Sequence, residues 1–186
     1  ATIDSAAAIH LAAESLRRTT TAAMVRVMIP DHRHLFAKSI SCATDGVSQP
    51  NIPADGDLVL SLMPATLACI DSSFAAYPGK LPENSLEESE LHQLFAPGVT
   101  HGGLYPIAPC GRVVGILALG YNDTDTTLPI GGEADQLAEL TADLIGLMMT
   151  QNSPVSRPSR SKSIVSNSRI SSNMLPEIAI PTAEVN

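Results

Sequence analysis

Tryptophan is absent from this 186-residue chain, and it holds only three Phe and three Tyr. Its core must therefore be built mainly from Ala, Val, Leu, Ile and Met, within an apolar content of 44%. So few rings argue against a surface that stacks single-stranded nucleic acid bases. Cysteine is scarce too: Cys42, Cys69 and Cys110 form an odd set with no metal or disulfide spacing. They predict reduced, mostly buried thiols and a cytoplasmic or other reducing compartment. No apolar run approaches the ~18 residues of a membrane-spanning helix, and no secretory leader is visible. The first residue is not Met, which predicts a processed or excised chain.

Basic residues are few and unevenly placed. Residues 1–150 hold seven basic and seventeen acidic residues, a net −10, whereas residues 151–186 hold four and two, a net +2. An acidic body repels nucleic acid and anionic membranes, so both are excluded as partners. The last 36 residues contain "NSPVSRPSRSKSIVSNSRISS", Ser-rich, basic and twice interrupted by Pro. This composition predicts a domain over 1–150 and a flexible tail over 151–186.

Within 1–150 the patterns alternate between two periods. Residues 3–18 read as a helix capped by Asp4 or Ser5, with Ala6, Ile9, Ala13 and Leu16 on one face. "AMVRVMI" (23–29) and "LFAKSISCA" (35–43) read as a hairpin, with Phe36, Ile40 and Cys42 sharing one face. Residues 44–56 read as loop. Asp55 or Asp57 is expected to cap a short helix through "LVLSLM", followed by a strand over "LACI" (67–70) and a loop over 71–84. Ser85 with Glu88 has capping-box spacing and starts a helix that Pro97-Gly98 ends.

The next stretch, "GGLYPIAPCGRVVGILALG", holds two apolar arms around a turn at Pro109 and a left-handed Gly111. The arm Val113–Gly120 is apolar on both faces, the pattern of a central strand covered on both sides. Gly115 within it reads as a packing position. After a loop over 121–132 comes a helix, "EADQLAELTADLIGLMMT". Its apolar stripe runs through Ala134, Leu137, Ala138, Thr141, Leu144, Ile145 and Met148, and Leu140 and Leu147 widen it enough to meet a partner helix.

This order resembles the GAF domain, a sensory α/β module related to PAS domains. The likeness rests on Tyr105-Pro106-Ile107, Gly111-Arg112 and Val113-Val114-Gly115-Ile116-Leu117. "LPIGGEADQLAELTADLIGLMM" resembles the family's closing loop and helix. "LVLSLMPATLACID" resembles its short helix and third strand, with Pro64-Ala65 where Thr-Gly is commoner. The likeness covers roughly residues 3–150. It implies an α+β (α/β) fold: an antiparallel central sheet with the first and last helices on one face. The other face can hold a ligand, for which Cys69, Asp71, His101 and Tyr105 are the candidate contacts. It also implies a place in a signalling protein such as a histidine kinase.

The family's known chemistries find little here. Cys69 and Cys110 lack the neighbouring His of bilin-binding members, the cyclic-nucleotide pattern is missing, and the three thiols are too far apart in sequence for a reductase set. His32 and His34 alternate beside Asp31, but two His without a third ligand read as an exposed turn. His101 is a conceivable haem ligand and reads first as a plain strand-end residue. Asp123 and Asp125 lack the Gly and closing Glu of a calcium loop, and Glu87, Glu88 and Glu90 read as a solvated helix face. No catalytic set and no metal site are expected, and no cofactor is specified. Two non-enzymatic readings result. One is a sensor that binds a small molecule or partner protein and signals through terminal helices, which also pair it into a homodimer. The other is a ligand-free interaction scaffold. A thiol reductase using Cys42, Cys69 or Cys110 is the enzymatic alternative.

Overall fold

The opening helix, α1, spans Ser5–Thr20 and buries Ile9, Ala13 and Leu16. This is the predicted face less Ala6, which is exposed, with Thr20 buried at its end. The computed structural model describes residues 5–46, 56–77, 85–122 and 132–151. These lie in a compact unit, Ala1–Pro154; a second unit, Val155–Asn186, falls outside the described residues and takes the expected tail with it. Asp4, Asp55, Asp123 and Asp125 lie outside them as well.

Strands β1 (Met24–Pro30) and β2 (Phe36–Thr44) form the expected antiparallel hairpin. The Asp31 carboxylate shapes its turn by accepting hydrogen bonds from the amides of Leu35 (2.7 Å) and Phe36 (3.1 Å). Those bonds hold Asp31 ionised below the usual carboxylate range. The pairing register slips between Val27, opposite Ser41, and Met28, opposite Ser39. Ile40 is the extra residue of a β-bulge, and a bulge swaps the faces beyond it. Phe36, Ile40 and Cys42 therefore do not share a face. Ala37 and Cys42 pack into one core, Ile40 and Ala43 into the other.

The next region reverses the expected order. "DLV" is a strand, β3 (Asp57–Val59), continued by a 3-10 turn over Leu60–Leu62. "LACI" lies inside a helix, α2 (Pro64–Ser72), rather than a strand. Pro64 occupies the first helical turn, where its missing N–H needs no partner and its fixed φ suits a helix. Thr66, Cys69 and Ile70 are the buried positions, at helical spacing. A third helix, α3 (Ser85–Leu94), stands where predicted.

The two arms are β4 (His101–Ile107) and β5 (Gly115–Tyr121). Their turn holds two left-handed residues, Cys110 (φ +64°) as well as the expected Gly111 (φ +80°). The sheet is antiparallel throughout in the order β3-β2-β1-β5-β4. Every residue of β5 is buried, as a strand between two neighbours and two covered faces should be. The outer edge of β4 carries one more bridge, Ala76 to Leu104.

Two cores sandwich the sheet. On one face α2, α3 and Phe95 cover Met24, Met28, Leu104, Ile116 and Ala118. On the other, α1 and the final helix, α4 (Glu133–Gln151), cover Val25, Val27, Leu117 and Leu119. Scarce aromatics make one ring decisive. Phe95 is fully buried, and a Cβ on Gly120 or Gly102 would stand 2.6 or 2.9 Å from it. The two glycines form its socket. Along α4 the buried positions are Asp135, Ala138, Ala142, Ile145 and Gly146. Leu144, read as part of the core stripe, is instead 47% exposed, beside Leu140 at 65% and Leu147 at 56%.

Candidate functional site

Two buried carboxylates organise the two faces. Helix α2 begins without a side-chain cap of its own at Met63, and its first amides need acceptors. Glu90 of α3 supplies them. Fully buried, it accepts hydrogen bonds from the amides of Ala65 (2.9 Å) and Thr66 (2.7 Å) and from the Thr66 hydroxyl (2.7 Å). The negative charge at a helix N-terminus also suits the helix dipole. Glu90 is therefore not part of a solvated face, although its neighbour Glu88 is exposed.

Arg26 lies on the same face of the sheet. It sits between Met24 and Met28 on β1, opposite Cys42 on β2 and Ala118 on β5, and is fully buried. Burial pulls its guanidinium down from the ordinary value, against the nearby Cys42. Burial likewise pushes the Cys42 thiol up, with the Arg26 charge opposing. Ser39, one same-face rung further along β2, is 1% exposed, and its hydroxyl makes no hydrogen bond among the described residues. Cys69 projects from α2, its Sγ 3.8 Å from the Leu104 carbonyl. Burial first, and the Glu90 charge second, push its thiol up to about 12.

On the opposite face Asp135, in the first turn of α4, is 7% exposed. Its Oδ1 accepts a hydrogen bond from the Tyr105 hydroxyl at 2.5 Å. The Tyr77 hydroxyl reaches Oδ1 and Oδ2 at 3.0 and 2.9 Å. The two phenol rings meet edge to face, 6.3 Å apart. Burial first, then Asp135, raises the ionisation of both phenols well above the ordinary value. The route of Tyr77 to this site is informative. The chain leaves α2 on the first face and pairs Ala76 with Leu104 through bonds of 2.9 and 2.7 Å. It then delivers Tyr77 to α4 on the second.

The four candidate contacts are thus divided. Cys69 lies on the α2/α3 face, and Asp71 is exposed on the same helix. Tyr105 points to α4. His101, two same-face positions before it on β4, stacks on Tyr121 at 5.5 Å and shares a 3.0 Å hydrogen bond with Thr100. His32 and His34 are exposed in the β1–β2 turn, and Cys110 is exposed in the β4–β5 turn. Among the described residues no three His, Cys, Asp or Glu cluster to hold a metal ion, and no helix is long and apolar enough to cross a membrane. Sequence reasoning passed over Arg26, Tyr77 and Asp135, and read Glu90 as solvated. Only Arg26, a charge inside an apolar strand, carried a local signal.

No protein-family model matches the sequence, and none of the curated proteins does. Solved structures do. The GAF domain of a phosphoenolpyruvate-protein phosphotransferase from Coxiella burnetii superposes with a TM-score of 0.62 at 12% identity, over 81% of this chain and 85% of that one. The phycocyanobilin-bound GAF domain of a cyanobacterial phytochrome gives 0.60 at 14%, over 81% and 89%. Type II free methionine-R-sulfoxide reductase from Thermoplasma acidophilum gives 0.60 at 11%, over 79% and 93%. At such identities likeness speaks for architecture alone, and the architecture of this chain is the GAF fold.

Proposed function

We propose that this domain is a sensory or regulatory module of a signalling protein, with the α2/α3 face as its input and α4 as its output. The observation that carries this reading is the attachment of Asp135. One carboxylate at the root of α4 is held by Tyr105 of the sheet and by Tyr77, which arrives from α2. A small ligand or partner that shifts α2 moves Tyr77 and so changes how α4 is held. The response is a shift between two arrangements of α4, biased by contacts made in only one of them. Cys69 is a contact on the input face, whereas Tyr105 serves as the link. Cys69 enters the proposal as a contact and not as a nucleophile, because burial pushes its thiol up to about 12.

A scaffold without ligand is the second reading. It is favoured by the filling of the input face, where Met63, Leu94 and Phe95 are each fully buried. Native mass spectrometry of the chain purified from its own source separates the two. A retained small molecule supports the sensor; protein mass alone, with α4 unchanged by any extract, supports the scaffold. Pairing through the terminal helices belongs to the same proposal. Leu140, Leu144 and Leu147 stand exposed at 3-4 spacing, the seam of a helix pair, with Leu11 of α1 exposed at 68%. Sedimentation should show a dimer that Leu140→Glu with Leu147→Glu converts to monomer. A parent chain that stays monomeric at high concentration removes the pairing.

A further inference from the structure

A cleft of about 550 Å³ opens where α1 joins β1 and β5 ends, within the size range of small-molecule sites. Its polar lining is Arg17, Arg18, Thr21, Asp45, Tyr121 and Asn122, with Ala22 and Ala23 between them. It lies apart from the α2/α3 face, so nothing proposed above depends on it.

The charges in this cleft are arranged unusually. Glu14 takes Arg17 Nε and Nη2 at 2.9 and 3.1 Å, and Arg18 Nε at 2.7 Å. One carboxylate thus serves two guanidinium groups and leaves the trio with a net positive charge. The remaining N–H groups, on Arg17 Nη1 and on both terminal nitrogens of Arg18, make no hydrogen bond to the described residues. Guanidinium N–H groups recognise carboxylates well. Asp45 supplies the opposite sign, close enough that its charge helps hold the Arg17 guanidinium protonated. An ionised carboxylate has about four acceptor sites, so Asp45 can receive an ammonium group in addition to its other contacts.

The backbone points to the same place. Ala22 N–H bonds the Arg17 carbonyl at 3.1 Å, closing α1 with Thr21 at the left-handed position (φ +57°). Glycine usually fills that position, and a β-branched residue there is an outlier. Strained residues of this kind cluster at functional sites. Thr21 lines the cleft while holding this unfavourable conformation.

We propose that this cleft binds a small zwitterion, its carboxylate on the Arg17 and Arg18 guanidinium groups and its ammonium on Asp45. That chemistry is shared by free amino acids and short peptides. Two-dimensional 1H–15N NMR of the full chain tests it. The probes are the twenty free L-amino acids and Gly-Gly, with acetate and methylammonium as the separated halves. At least one zwitterion should shift the amides of Thr21, Ala22, Asp45 and Asn122 saturably, and at least tenfold more tightly than either half. Comparing glycine with Gly-Gly tells amino acid from peptide. Arg18→Ala and Asp45→Asn, both at exposed side chains, should each weaken binding at least tenfold. Thr21→Gly should weaken it while raising the melting temperature. The proposal is overturned if no probe shifts those amides saturably, if acetate binds as tightly as the zwitterion, or if either charge variant binds like the parent.

Discussion

Among the described residues, the two faces of the sheet each bury one acidic side chain, Glu90 and Asp135, and the two are used differently. Glu90 accepts from two backbone amides and one hydroxyl, all at the start of α2. Asp135 accepts from two phenol side chains that belong to separate parts of the fold. Backbone donors fixed in a helix turn have one arrangement, so Glu90 locks α3 to α2. Asp135 instead ties α4 to β4 and to the segment after α2 through two phenol side chains. The response proposed for α4 rests on this second carboxylate, not on the first.

The largest expected effect comes from breaking the rigid member. Glu90→Ala strands the Ala65 and Thr66 amides in the core, away from water. Unmet buried donors of this kind cost a domain about 3 kcal/mol in total, or roughly 10 °C in melting temperature at this size. Thermal denaturation reads it directly. Hydrogen exchange adds the location: protection should fall first in α2. A loss below 1 kcal/mol would mean that α2 finds another cap and that the two acids differ little in what they hold.

Asp135→Asn should cost less, about 1–2 kcal/mol, because a neutral amide oxygen accepts more weakly than a carboxylate and its NH2 replaces the oxygen that Tyr77 also reaches. Tyr77→Phe should cost about 1 kcal/mol. Since Tyr77 and Asp135 touch, the double variant should lose less than the sum of the two. Faster exchange should be confined to the first turns of α4. If exchange in α2 rises equally, Asp135 holds the whole domain rather than one helix and is no more selective than Glu90.

How much of this was readable beforehand depends on how local each signal is. β5 was legible because seven consecutive buried residues leave a continuous apolar run, and α4 because its length exceeds any strand. The exchange of strand and helix across residues 57–72 was not legible. Four apolar residues fit either period, and Pro64 suits the first turn of a helix as well as a break before a strand. The bulge at Ile40 adds no unusual residue, so the face of Cys42 could not be read from alternation. The long-range polar pairs were not legible either. Tyr105 meets an acid 30 positions later, and Glu90 caps a helix 24 positions earlier. In each case one partner resembles an ordinary solvated charge until the fold brings the other beside it. All three tyrosines pack on the terminal-helix side, a clustering that composition cannot foretell.

Glu14 extends the comparison to the surface and sets its lower limit. It carries three charge-assisted bonds to Arg17 and Arg18, yet its side chain and that of Arg18 are 22% and 73% exposed. The Arg17 hydrogen bonds do most to hold its carboxyl at about 2, below its ordinary 4.5, with burial opposing and Arg18 assisting. A folded-state value below the unfolded one stabilises above the unfolded value. That contribution is therefore complete above pH 4.5 and is lost as the pH falls towards 2. Solvent screening limits it to about 0.5 kcal/mol. Glu14→Gln should be less stable than the parent by that amount at pH 7 and equal to it near pH 2. A gap that persists at pH 2 would assign the effect to packing of α1 rather than to charge, whereas a neutral-pH gap as large as that of Glu90→Ala would show that exposure does not set the rank of these three acids.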